Sequence, residues 1–130
     1  MIVDTSAILA ILLDEPERER YRTLITGTTA SVSAASLVEL QAVLTRRFGG
    51  QFDDQAARLL NELRMIVLSV TAEQAVIGRD AYRTYGVGTG HPAHLNYGDC
   101  FAYALSKATG EPLLFKGDDF VHTDVARAVA

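Results

Sequence analysis

The sequence contains little cysteine, proline or tryptophan: its 130 residues include one cysteine, three prolines and no tryptophan. A single cysteine cannot form a disulfide within the chain, which is typical of proteins in a reducing compartment. No apolar run approaches the roughly 20 residues of a membrane-spanning helix. An acid at position 4 stands where a signal peptide would carry its basic and apolar regions. We therefore expect a cytosolic protein without a membrane segment.

Basic residues are also scarce, since 12 lysines and arginines stand against 16 acids and leave a net charge of −4. This balance argues against non-specific binding of nucleic acid over the whole surface. It does not exclude one local site. If four acids are gathered around a metal ion, the rest of the chain carries no net charge.

Apolar residues make up 48% of the chain, which is ordinary for a folded protein and predicts one domain over residues 1–130. Short apolar runs alternate with stretches of helical periodicity from end to end. This alternation favours an α/β fold with a mostly parallel sheet. The predicted strands are 2–3, 31–33, 65–70 and 112–115, and the clearest is 65–70, whose apolar run is suited to burial on both faces.

The first predicted strand ends in three consecutive polar residues, Asp4, Thr5 and Ser6. All three types suit the N-cap of the helix predicted at 7–13, and one of them is expected to serve there. The other two are spare polar groups at the carboxyl end of a strand, where ligands sit in open α/β sheets.

Asp99 stands just before a helix whose apolar residues recur at Phe101, Ala104, Leu105 and Ala108. At about 100° per residue, Asp99 lies about 200° round the helix from Phe101 and should point away from the core. Its simplest role is to stabilise the helix dipole from the first turn. The neighbouring Cys100 has no metal-ligand spacing and is interpreted as a small packing residue.

Glu39 lies between Val38 and Leu40 on the helix predicted at 35–48, away from that helix's apolar stripe. Two interpretations stay open. Ser36 and Glu39 match a capping box, in which the glutamate accepts a hydrogen bond from the cap amide. Alternatively, Glu39 faces a functional site.

Four acids could converge at one edge of the sheet: Asp4 after the first strand, Asp118 or Asp119 after the last, and Glu39 and Asp99 on helices between strands. Clustered carboxylates repel one another unless a cation intervenes. Oxygen ligands without cysteine or histidine suit Mg²⁺ or Mn²⁺. His91 and His94 lie in a glycine-rich loop and are expected to be exposed to solvent rather than to bind metal.

These residues resemble those of the PIN-domain ribonucleases, and specifically of VapC-type toxins of toxin–antitoxin pairs. The resemblance spans essentially the whole chain. Its marks are the stretches IVDTS at 2–6, Glu39, RTYG at 83–86, LNYGDCF at 95–101 and PLLFKGDDF at 112–120. It implies a three-layer α/β/α sandwich with a central parallel sheet of about five strands, of which a short last strand lies near 121–125.

The resemblance also implies roles for individual residues. Asp4, Glu39 and Asp99 take the positions of three family acids, and Ser6 takes that of a hydroxyl near the metal. Asp119, directly before Phe120, is carried over as the fourth acid, with Asp118 as second choice. Many relatives have a polar residue where Gly117 stands here, and this departure is consistent with a weaker second metal site.

The function implied is that of an endoribonuclease that depends on Mg²⁺, or on Mn²⁺, and hydrolyses RNA phosphodiester bonds. A homodimer and a cognate antitoxin, whose tail blocks the site, are implied as partners. Arg46, Arg83 and Lys116 are candidates to contact the phosphates of the RNA. The alternative is a non-catalytic PIN-like scaffold that binds RNA or a partner.

Two other acid-based classes do not fit the sequence. A phosphoacceptor receiver domain needs its acceptor aspartate just after a middle strand, and Val70-Thr71-Ala72 offers none. A haloacid-type phosphatase needs a second aspartate two residues after Asp4, where Ser6 stands instead.

Overall fold

The computed structural model describes residues 1–128 of the chain. The chain forms helices and strands in the order β1 (Ile2–Val3), α1 (Thr5–Leu12), α2 (Arg18–Thr26), β2 (Ser31–Ser33), α3 (Ala34–Phe48), α4 (Asp53–Leu63), β3 (Ile66–Leu68), α5 (Ala72–Tyr85), α6 (Asp99–Thr109) and β4 (Leu113–Leu114). No helix within these residues is long and apolar enough to cross a bilayer.

The four strands form one parallel sheet in the order β3-β2-β1-β4. Side chains alternate between its faces, because successive residues of a strand point in opposite directions. Val3, Val32 and Leu114 pack in a core with α1, α2, α3 and α4. Ile2 and Leu113 pack in a second core with α5 and α6. The sheet is therefore covered by helices on both faces, as the predicted α/β/α sandwich requires.

The sheet has four strands within the described residues. The prediction of a fifth strand near 121–125 is therefore wrong. The segment that follows β4 pairs with it at a single position beyond residue 125, where Arg127 forms a parallel bridge with Leu113. The amide of Leu113 donates to the carbonyl of Ala126 at 2.8 Å, and the amide of Ala128 donates to the carbonyl of Leu113 at 2.8 Å. Because β4 has only two residues, a neighbouring strand has few backbone groups along it with which to pair.

The burial predicted for the strand at 65–70 is also wrong. The strand β3 spans only Ile66–Leu68, and Ile66 and Val67 are 49% and 52% exposed. This strand lies at the edge of the sheet, where it pairs with β2 alone and its side chains are not enclosed. Its apolar composition therefore does not place it in the centre of the sheet.

Candidate active site

Asp4 joins the carboxyl end of β1 to the start of α1 and serves as the N-cap of that helix. Its Oδ2 atom accepts hydrogen bonds from the amide of Ser6 at 2.9 Å and from the hydroxyl of Ser6 at 2.6 Å. The residue is 3% exposed, and its other oxygen, Oδ1, is buried without a hydrogen-bond partner among the described residues. A buried carboxylate oxygen without a partner is costly, so this atom is available to a cation.

Ser6 connects the first strand to the last. Its hydroxyl donates to Asp4 and accepts a hydrogen bond from the backbone amide of Lys116 at 3.0 Å. Lys116 follows β4, which lies beside β1 in the sheet. Ser6 thus orients Asp4 and holds the carboxyl ends of β1 and β4 together.

Glu39 points toward the same edge from α3. Its Oε1 atom accepts a hydrogen bond of 2.7 Å from the hydroxyl of Thr5, in the first turn of α1. The capping-box interpretation of Glu39 is wrong, because α3 begins at Ala34 and its N-cap is Ser33, whose hydroxyl accepts from the amide of Ala35. Glu39 lies too far along the helix to reach the cap amide.

Asp99 is the first residue of α6 and is only 6% exposed. Its Oδ2 atom accepts a hydrogen bond from the amide of Asn96 at 2.9 Å, and the amide of Asp99 donates to the Asn96 side-chain oxygen at 2.9 Å. Asp99 was expected to point away from the core of its own helix. It is nevertheless buried, because α6 packs against α3, β1 and β2.

Asp119 lies in the turn that follows β4 and precedes Phe120, whose ring packs on Phe115 with 5.1 Å between ring centroids. Asp119 is one of the charges that raise the pKa of Asp4 and of Asp99. Asp118 acts in this way on Asp119 alone. The charge of Asp119 thus acts on two of the other acids, Asp4 and Asp99.

The four acids share one electrostatic environment. Burial is the largest cause that raises the pKa of Asp4, Glu39, Asp99 and Asp119 above their ordinary values, and it raises that of Asp99 to about 7. The charges of Asp4, Asp119 and Glu39 add to the effect on Asp99. The Arg46 guanidinium opposes the rise in the pKa of Glu39. Mutual repulsion of this kind is relieved when a cation binds between the carboxylates.

The donor set suits a hard divalent cation: it consists of carboxylate and hydroxyl oxygens and includes the unpartnered Oδ1 of Asp4. Among residues 1–128, however, no three histidine, cysteine or acidic side chains converge closely enough to hold one ion. Mg²⁺ commonly keeps several water ligands and binds through one or two carboxylates. The arrangement therefore fits a water-rich magnesium site and does not fit a closed cage.

The residues proposed from the sequence to contact phosphate differ in their surroundings. Lys116 forms ion pairs with Glu15 and with Glu17, the latter at 3.0 Å, so its charge is already engaged. Arg83 lies at 3.4 Å from Asp80 on the exposed side of α5. Arg46 lines the same groove as Glu39, one of the four acids.

The remaining sequence candidates lie apart from the acid cluster. The His91 ring packs edge-on against Tyr85, and its Nδ1 accepts from the amide of Ala93. His94 is exposed. Cys100 is buried, and burial together with the charge of Asp99 raises the pKa of its thiol to about 11, which leaves it a packing residue.

Sequence reasoning did not identify the residues that hold the acids in place. Thr5 was predicted to be either the helix cap or a spare polar group at the strand end, and no partner was assigned to it, although its hydroxyl donates to Glu39. Asn96 was part of a motif without an assigned role, although it orients Asp99. The sequence signal for this contact was the spacing of Asn96 and Asp99, which are three residues apart. That is the spacing of a capping box, in which two residues exchange hydrogen bonds between side chain and backbone amide.

Comparison with known proteins gives a consistent result. The PIN domain family matches residues 1–126. The chain is 46% identical to VapC ribonuclease Mb0640 of Mycobacterium bovis over 127 residues, which cover 97% of this chain and 96% of that protein. It is also 46% identical to ribonuclease VapC42 of Mycobacterium tuberculosis, over 98% of each chain.

Among solved structures, the chain resembles Mycobacterium tuberculosis VapC20, described as a toxin that cleaves the sarcin-ricin loop. The TM-score is 0.71 at 19% sequence identity, and the match covers 98% of this chain and 97% of that one. At this identity the likeness establishes the fold.

Proposed function

The chain belongs to the PIN domain family, and from this premise we propose that it is a VapC-type endoribonuclease that depends on Mg²⁺. The observation that carries the proposal is the approach of four acids from separate elements to one edge of the sheet, with Oδ1 of Asp4 buried and unpartnered. The curated relatives at 46% identity are named as ribonucleases, which supports RNA as the substrate.

In this proposal Asp4 and Asp99 hold one cation, and Glu39 and Asp119 contribute to a second. When bound, Mg²⁺ lowers the pKa of a water molecule and stabilises negative charge on the phosphate, so that the phosphodiester bond is hydrolysed. Ser6 keeps Asp4 in position through its two hydrogen bonds, and Thr5 and Asn96 do the same for Glu39 and Asp99. Mn²⁺, which prefers similar oxygen ligands, is expected to substitute.

Arg46 is the proposed contact to the RNA backbone nearest the acids. It shares a groove with Glu39, Asn96 and Tyr97, and its charge acts on Glu39. A guanidinium there would offset the repulsion between the phosphate and the acids. Lys116 is a weaker candidate, because it is already paired with two glutamates.

We also propose that the protein forms a homodimer through an apolar face between α3 and α5. Val38 and Tyr97 are 71% and 76% exposed on this face. Tyr97 and Phe101 line two adjoining grooves and make the surface continuous. Large exposed apolar areas of this kind mark interaction sites, and a second copy offers an equally apolar counterpart.

The dimer is tested by light scattering on a sizing column. Val38→Asp and Tyr97→Asp should each shift the mass toward the monomer, whereas Val67→Asp, on the exposed edge strand β3, should leave it unchanged. A wild-type protein that is monomeric at all concentrations would contradict this part of the proposal.

A cognate antitoxin, whose tail blocks the acid site, is proposed as the inhibitor in the cytosol. Its expected effect is loss of RNA cleavage when it is added in equal amount to the purified protein. Full cleavage in a complex that is shown to be intact would contradict the proposal.

A non-catalytic scaffold that binds RNA or a partner is the second candidate. It is favoured by the observation that no three metal-binding side chains converge closely within the described residues. A scaffold of this kind would bind RNA without cutting it, and its acids would have only structural roles.

Digestion of total RNA separates the two candidates. The ribonuclease proposal expects cleavage with millimolar Mg²⁺, no cleavage with excess EDTA and none by Asp4→Asn, with products that carry 5′-phosphate and 3′-hydroxyl ends. RNA that stays intact under all conditions, while it is retained by the folded protein, would support the scaffold.

A further inference from the structure

Gly98 stands directly before Asp99, at a position where the backbone does not require glycine. Its φ and ψ angles are −65° and −38°, which are ordinary right-handed helical values that every L-residue adopts. Gly98 is the residue just before α6, and no positive φ angle demands a glycine there. The reason for a glycine must therefore lie in the surroundings of the residue.

The space beside Gly98 is filled by the side chain of Glu39. A Cβ atom at residue 98 would overlap Oε2 and Cδ of Glu39 and would lie 3.0 Å from its Cγ. Real Cβ atoms do not come this close to their neighbours. The Glu39 carboxylate thus lies directly against the backbone that leads into Asp99.

The other side of the same carboxylate is held by Thr5. The Thr5 hydroxyl, which is 4% exposed, donates to Oε1 of Glu39 at 2.7 Å. Glu39 is therefore confined between the first turn of α1 and the start of α6. These are the two helix ends that present Asp4 and Asp99.

We propose that Gly98 is a positioning residue: by lacking a side chain, it allows Glu39 to reach across from α3 and join Asp4 and Asp99. The inference deepens the proposed function and rests on it where cleavage is concerned. The geometry itself can be tested without RNA or metal.

The expected consequence of a methyl group at residue 98 is local. The atoms that it would strike are the far end of a flexible side chain, which can rotate aside. The Thr5 hydroxyl keeps a second acceptor, the carbonyl of Ser36 at 3.3 Å. Gly98→Ala should therefore fold normally while Glu39 is displaced from the acids.

Gly78→Ala supplies a matched control. Gly78 lies in α5, which packs on α6, and a Cβ there would meet its nearest neighbour, the carbonyl oxygen of Cys100, at 3.5 Å, an ordinary contact. Both variants add one methyl group to a helical glycine near α6. Only one of them reaches Glu39.

The first measurement is a crystal structure of metal-free Gly98→Ala. We expect the Glu39 carboxylate to have left hydrogen-bond distance of the Thr5 hydroxyl. A Glu39 that remains bonded to Thr5 would overturn the proposal, whether or not the protein cleaves RNA. Because this measurement uses neither metal nor RNA, it distinguishes failure of the positioning role from failure of the proposed function.

The second measurement compares wild type, Gly98→Ala, Glu39→Ala and the double variant, with Gly78→Ala as the control. Gly98→Ala should cleave RNA roughly 10–100-fold more slowly than wild type, as is typical when a residue that orients a metal ligand is lost. Its melting temperature without metal should stay within about 4 °C of wild type. Gly78→Ala should match wild type in both respects.

The double variant tests whether Gly98 acts through Glu39. If it does, Glu39→Ala and the double variant should have the same cleavage rate and the same rise of melting temperature with Mg²⁺. A double variant that loses clearly more of either than Glu39→Ala would overturn the proposal, as would a Gly98→Ala protein with wild-type cleavage and wild-type response to Mg²⁺.

Discussion

Asn96 and Asp99 exchange two hydrogen bonds: each side chain accepts from the backbone amide of the other residue, both at 2.9 Å. This is the reciprocal geometry of a capping box, and it fixes the orientation of the Asp99 carboxylate at the start of α6. The side chain that closes the turn before α6 is therefore also the proposed metal ligand. One oxygen, Oδ2, serves the cap, while the buried carboxylate as a whole carries the charge.

The first prediction concerns Asp99→Asn. Asparagine keeps an oxygen that can accept from the Asn96 amide, so the fold should remain, but it lacks the charge that a hard cation needs. RNA cleavage should fall roughly 100-fold or more, the scale on which lost electrostatic stabilisation acts. Cleavage at the wild-type rate by a folded variant would show that Asp99 is only a helix cap.

The second prediction concerns the pH dependence of stability without metal. Burial, followed by the charges of nearby acids, raises the pKa of Asp99 from 3.8 to about 7. The folded state therefore holds a proton that the unfolded state releases. The stability that this proton provides is full below about pH 4 and is lost as pH rises through 7.

In EDTA the melting temperature should fall between pH 5 and pH 8. The fall should be smaller in Asp99→Asn, which has no proton to lose at this position. A wild-type melting temperature that is level over this range, or an equal fall in the variant, would contradict the prediction.

The third prediction concerns Glu39→Gln. Glutamine keeps a side-chain oxygen that can accept a hydrogen bond from the Thr5 hydroxyl, so a purely structural role would leave the variant unchanged. As a metal-site acid, Glu39 needs its charge, and glutamine should reduce cleavage about 10–100-fold with a change of melting temperature of less than about 4 °C. The two quantities are measured on the same preparation, and unchanged cleavage would remove Glu39 from the proposed site.

The fourth prediction is that Mg²⁺ or Mn²⁺ stabilises the folded protein. A cation that binds only the native state at 100 times its dissociation constant adds about 2.7 kcal/mol to the free energy of unfolding. Melting curves should shift upward with millimolar metal. The shift should shrink in Asp4→Asn, which lacks the charge of the buried carboxylate. The same small shift in both proteins would favour the scaffold.

The fifth prediction separates two neighbouring acids. Asp119 repels Asp4 and Asp99, whereas Asp118 affects only Asp119. Asp119→Asn should therefore slow cleavage much more than Asp118→Asn, each measured at saturating Mg²⁺ after its fold is verified. Greater damage in Asp118→Asn would mean that the fourth acid is Asp118.

Local patterns predicted the α/β class and the strand end that carries Asp4, because both depend on neighbouring residues. They could not predict that β3 lies at the edge, since its apolar side chains look the same in a central strand. Strand order is set by pairing between distant residues. The burial of Asp99 has the same origin, because periodicity shows only which way it points from its own helix and not what it meets there.

Glu39 shows how a correct local rule can fail. Its spacing from Ser36 fits a capping box, but that box needs the helix to begin at Ser36. The strand β2 ends at Ser33, and the helix follows at once. The start of α3 is therefore set by the pairing of β2 with its neighbours, which no window of a few residues contains.

The strand order β3-β2-β1-β4 has a consequence for synthesis on the ribosome. β1 is made first, but its partner on one side, β4, begins at Leu113. Until that segment emerges, one edge of β1 is bare and Ser6 lacks the Lys116 amide. The acids are separated in the same way, since Asp4 and Glu39 precede Asp99 and Asp119 by at least sixty positions. A nascent chain therefore carries no assembled acid cluster until Asp119 has emerged, and any activity that depends on the cluster begins only after that point.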